Sequence, residues 1–117
     1  MEQTQEQVIS ITAEQANQIR LDCQHQIDLA QSLERLHNNE DFKKVFIKEY
    51  TEKESARLVS LLSEASFNMS GKKQEYREDI QERMLGIARF EEFIRNTFRL
   101  AEQAEKTLDD LAQAQNM

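Results

Sequence analysis

The chain has 117 residues, of which 38% are apolar and 32% charged, against roughly 45–50% and about 25% in average soluble domains. It contains no proline, no tryptophan and only two glycines. That all but excludes compact β folds and Gly-rich nucleotide loops, which need those turn residues. Fifteen basic against 22 acidic residues leave a net charge of −7, which disfavours general attraction to a phosphate backbone.

Residues 1–11 read as a polar N-terminal arm. Met1-Glu2-Gln3-Thr4-Gln5-Glu6-Gln7 carries neither the basic nor the apolar region of a signal peptide. The alternation in Val8-Ile9-Ser10-Ile11 suits either a short extended arm or a tail whose isoleucines dock on the first helix. Thr12 begins that helix, with Gln15 at the spacing of a capping box. Ala16, Ile19, Cys23, Ile27, Ala30, Leu33 and Leu36 then recur at three or four, a single apolar stripe. The lone Cys23 falls on it, so a buried thiol is expected and an internal disulfide is impossible. One cysteine without an export signal fits a reducing compartment.

The helix should stop near Asn38-Asn39, and Asn39 can cap the next one with Glu40 and Asp41 in its first turn. Phe42, Val45, Phe46 and Tyr50 form its apolar set. Thr51 and Glu54 repeat the capping-box spacing and predict a new helix over 52–64, with Ala56, Val59 and Leu62 inward and Leu58 and Leu61 flanking. One continuous helix over 40–64 is the alternative. Ser63 to Gly71 reads as a loop, with Phe67 and Met69 folding back as plugs.

From about 72 to 112 only Gly86 interrupts a helical pattern. Forty residues at 1.5 Å each would span about 60 Å, so the helix must outrun its own domain or bend. Ile80, Ile87, Ile94, Ala101 and Leu108 recur at seven, interleaved with Arg83, Phe90, Thr97, Ala104 and Leu111. That heptad seam has coiled-coil character, with Arg83 and Thr97 as mismatches. Either the last turns fold back on the first three helices, or Phe98, Ala101, Ala104, Leu108 and Leu111 meet the same helix of another copy. The second is the working expectation.

Catalytic and ligand constellations are missing from the pattern. His25 and His37 are twelve apart with no ligand at metal spacing. Ser70-Gly71-Lys72-Lys73 lacks the first glycine and the strand of a phosphate loop. The carboxylate pairs Glu91-Glu92 and Asp109-Asp110 diverge around a helix and form no acid/base dyad. Lys43, Lys44, Lys48, Lys53 and Arg57 read as surface charge offset by Glu40, Glu49, Glu52 and Glu54. Arg89, Arg95 and Arg99 share the long helix with Glu91, Glu92 and Glu102.

The central segment is the most distinctive: Leu33-Glu34-Arg35-Leu36, Asn39, Phe42-Lys43-Lys44, Phe46 and Tyr50, then Glu54, Ala56-Arg57-Leu58-Val59 and Leu61-Leu62, then Ile80, Ile87, Phe90 and Phe93-Ile94-Arg95. Over about residues 30–98 it resembles small helical proteins of tailed bacteriophages encoded among virion genes. The resemblance rests on packing residues, carries over no functional residue and implies a viral setting.

The expectation is therefore an all-α bundle of three or four helices with a long C-terminal helix, divided into an arm (1–11), a bundle (12–98) and a C-terminal extension (99–117). Its expected core is Ile19, Cys23, Ile27, Ala30, Leu33, Phe42, Phe46, Val59, Leu62, Ile80, Met84, Ile87, Phe90 and Ile94. The expected role is non-enzymatic: a phage virion structural or assembly protein acting through helix-mediated oligomerisation. Its partners would be itself and other virion proteins, with no cofactor, metal, small-molecule substrate, membrane or direct nucleic-acid contact. The expected location is the host cytoplasm during assembly, or the virion. The alternative is a small acidic phage protein that binds and inhibits a host protein.

Overall fold

A computed structural model describes residues 11–68 and 73–115, and every one of these is helical except Ile11, Thr12, Asn38 and Asn39. The fold is all-α, as the periodicity predicts. Helix α1 covers Ala13–His37. A short α2, Glu40–Phe42, runs directly into a π-helix over Lys43–Glu54 and then into α3, Ser55–Asn68. Helix α4 is unbroken over Lys73–Gln115, 43 residues, passing through Gly86.

The local start signals act as expected at two places. Gln15 N–H donates to Thr12 Oγ1 at 3.0 Å while Thr12 N–H donates to Gln15 Oε1 at 2.9 Å, a complete capping box. Asn39 takes an extended backbone (φ −80°, ψ 127°), and its Oδ1 accepts from Phe42 N–H at 3.0 Å. At Thr51 the signal is overridden. Phe42, Lys43 and Ser55 all keep right-handed helical dihedrals, so α2, the π-segment and α3 form one helical run. The Thr51 hydroxyl donates to the carbonyl of Phe46, five residues back, at 2.7 Å, instead of capping a new helix. The continuous alternative is the one adopted, and it extends to Asn68, so residues 63–68 are helix rather than loop. The side chain of Phe67, Met69 and the 1–10 arm lie outside the described residues.

The π-segment explains why the inward positions differ from those expected. A π-turn closes i→i+5 and takes one more residue than an α-turn. Beyond Phe42 the next residue turned inward is therefore Ile47, five on, rather than Val45, which is exposed. The shift passes into α3. Leu58, expected to flank, is fully buried at 0% exposure, whereas Val59, expected in the core, is 53% exposed, and Ala56 is exposed as well. Phe46 also leaves the expected core, at 44% exposure.

The chain divides into two compact units. One takes the chain up to Ser32 and from Thr97 onward, and the other takes Leu33–Asn96. The division therefore cuts both long helices. In the second unit Leu58, Ile80 and Ile87 form the buried centre, with Leu61, Leu62 and Met84 packed against it. Phe42, Phe90 and Ile94 are half-buried around it.

The phase of α3 is directly testable. Leu58→Ala should destabilise the protein by about 2–5 kcal/mol, the usual cost of emptying a closed site. Val59→Ala should stay within about 0.5 kcal/mol. Thermal or urea unfolding of the two variants checks this, and a reversed order would restore the α-helical phase.

Candidate protein-interaction surface

The first unit is built from small residues. Ala16, Cys23 and Ala30 recur at seven on α1 and are buried. Thr97, Ala104 and Leu111 recur at seven on α4 and are buried, with Ala101 between them. The unit holds α1 up to Ser32 and α4 from Thr97. Cys23, Asp22 and Gln26 share the lining of one hollow, about 210 Å³, with Leu100, Gln103, Ala104 and Thr107. Cys23 and Ala104 therefore face the same hollow. Small side chains let two helix backbones approach closely, and a strict period of seven keeps them in register.

The expected interaction residues therefore fare differently. Ala101, Ala104 and Leu111 are covered within the single chain, by α1. Phe98 and Leu108 are half-buried. α1 carries a matching ridge of small residues at the same period of seven. Thr97, read from the sequence as a mismatch, is 4% exposed, the one buried polar residue among those described.

What remains uncovered is larger and more apolar. In the first unit Leu21, Leu29 and Leu100 are exposed. In the second, Leu36, Val45, Tyr50, Tyr76, Leu85 and Phe93 join Phe46 and Val59 at the surface, and Phe93 reaches 59%. Leu21 and Leu29 are eight apart on α1, as are Leu85 and Phe93 on α4, a spacing that keeps each pair on one side of its helix.

Rings knit the π-segment to α4. Centroids lie 5.4 Å apart between His37 and Phe42 and 5.2 Å between Phe42 and Phe46. They lie 6.1 Å apart between Phe46 and Phe90, and 5.7 Å between Tyr50 and Phe90 in an edge-on arrangement. Such pairs add about 0.5–1.5 kcal/mol beyond their burial. They place Phe46 and Tyr50 against α4 while part of each ring stays in solvent.

The basic residues of this region are mostly matched locally, as their spacing suggests. Lys43 pairs with Glu40 at 3.4 Å and Lys53 with Glu49 at 2.8 Å. Arg57 grips Glu54 with both arms, its Nε donating to Oε2 at 2.9 Å and its Nη2 donating to Oε1. On α4, Arg95 pairs with Glu91 at 3.7 Å and Arg83 with Asp79 at 3.2 Å, so Arg83 turns outward from the seam. All are exposed pairs of small energetic value.

Further hollows lie in the second unit, one of them, about 200 Å³, lined by His37, Ile47, Thr51, Glu91, Ile94 and Arg95. Two others carry unmatched charge. One, about 550 Å³, is lined by Glu40, Lys43, Lys44, Ile47, Lys48, Glu49 and Glu52. The other, about 230 Å³, is lined by Glu78, Gln81, Glu82 and Leu85. His25 is exposed and His37 half-buried. Among the described residues no group of His, Cys, Asp and Glu is arranged to hold a metal, and no helix is long and apolar enough to cross a membrane. Of the Ser70–Lys73 segment only Lys73 is described, at the start of α4. Compared with protein-family models, curated proteins and solved structures, the chain matches none.

The Arg57 guanidinium, by hydrogen bonding, holds the Glu54 carboxyl below the usual carboxylate range. A depressed acid contributes stability above its unfolded pKa, and the contribution is lost as pH falls through the folded value. Wild type should therefore melt above Glu54→Gln at neutral pH, and the gap should close below about pH 4. Lys53, raised by its hydrogen bond to Glu49, acts at the other end: its contribution fades only above the usual lysine range. Melting curves of the two proteins across pH 3–8 check the Glu54 prediction.

Proposed function

We propose that this chain is a non-enzymatic assembly protein that acts by self-association of its helices and by contacts with other structural proteins, in a bacteriophage particle. The observation that carries the reading is the uncovered apolar surface: Leu21, Leu29 and Leu100 in one unit, and Leu36, Val45, Leu85 and Phe93 in the other. Scattered apolar side chains are ordinary on a surface, but large ones repeated along the same side of a helix mark a contact face. The seam that spacing alone would offer for assembly is occupied inside the chain, so assembly falls to these outer positions. The phage setting is supported by the resemblance of residues 30–98 and by nothing further.

The acidic alternative, a small protein that occupies a host partner, is supported by the net charge of −7. Solution mass separates the two. Sedimentation at micromolar concentration should give a multiple of the 13.8 kDa chain, and Leu85→Gln with Phe93→Gln should shift it towards the monomer without loss of helix content. A wild-type monomer would overturn self-association and leave the host-directed reading.

A further inference from the structure

Within the second unit, the π-segment and the first turns of α4 carry opposite unmatched charge. In the larger hollow Glu40 is taken by Lys43 and Glu49 by Lys53. Lys44 and Lys48 pair with no carboxylate among the described residues, and they face a single unmatched Glu52. The hollow has Ile47 in its wall, with the exposed Val45 two residues away.

The smaller hollow has the opposite make-up. Glu78 and Glu82 line it four apart, one above the other on the helix face, with Leu85 beside them at 48% exposure. The neighbouring Asp79 is neutralised by Arg83. Glu78 accepts a bond from Gln74 at 2.9 Å, which fixes its carboxylate without cancelling its charge. Lys44 and Lys48 are also four apart. Each hollow thus offers two like charges four residues apart beside an aliphatic side chain, with opposite sign.

We propose that these two faces meet between copies: the Lys44/Lys48 face of one chain seats on the Glu78/Glu82 face of a second copy. In a two-fold dimer the contact occurs twice, as an isologous interface requires. Leu85 of each copy packs towards Ile47 in the wall of the other copy's hollow. Exposed ion pairs contribute little affinity, but they set register and reject wrong pairings. The proposal rests on the self-association reading and names the surface that reading uses.

The test is a charge exchange. One variant carries Lys44→Glu with Lys48→Glu, and the other carries Glu78→Lys with Glu82→Lys. All four positions are exposed, so the fold should survive, and circular dichroism checks it. Alone, each variant sets like charges against one another at both contacts and should weaken self-association about tenfold or more. Mixed in equal amounts, the two variants restore opposite charges at both contacts and should associate as wild type does, read by sedimentation at one fixed ionic strength. Wild-type association that neither variant changes would overturn this interface while leaving self-association intact. Weakened variants that fail to recover on mixing would overturn the pairing of the two faces. A monomeric wild type would overturn both the interface and the reading beneath it.

Discussion

The first unit depends on one constraint: small side chains repeated every seven residues on two helices. Ala16, Cys23 and Ala30 on α1 meet a seam containing Thr97, Ala101, Ala104 and Leu111 on α4. Overpacking a seam of this kind typically costs about 1–3 kcal/mol. The same constraint determines what is left for function. Because the small-residue ridge of α4 is used inside the chain, the larger residues on the outer sides of the helices are the ones available to a partner.

The second unit depends on a change of helical pitch. A stretch closing i→i+5 over Lys43–Glu54 turns Ile47 in and Val45 out, and hands α3 on with Leu58 in the core. The aromatic contacts of Phe46 and Tyr50 with Phe90 hold that stretch against α4. The pitch also decides which lysines share a hollow. Lys43 and Lys48 are five apart, the spacing at which side chains stand over one another in a π-turn, and both line the hollow with Lys44.

Much of this was legible in the sequence, and the reasons are local. The Thr12–Gln15 box and the Asn39 cap form because short polar side chains reach free amides within three residues, whatever lies elsewhere. The heptad on α4 places Ile80 and Ile87 at 2% exposure, because one period holds from end to end of the helix. The rest was not legible. Thr51 carries a cap signal, but its hydroxyl is satisfied by the Phe46 carbonyl within a continuing helix. A π-turn has no residue signature of its own, so a 3.6-residue reading carried through it exchanged Val59 for Leu58. For the interaction residues the limit is different: a seam of Ala101, Ala104 and Leu111 asks for a covering helix, and spacing does not say which chain supplies it. The clue that could have settled it was the matching period of Ala16, Cys23 and Ala30 on α1.

The central claim is that α1 of the same chain covers the end of α4. Ala104→Cys places a thiol beside the native Cys23, the one cysteine of the chain. Mild oxidation should then give an internal disulfide, seen as a faster-migrating single chain on a non-reducing gel at every protein concentration. Covalent dimers formed in preference to the internal bridge would contradict the claim, and would return the seam of α4 to a second copy.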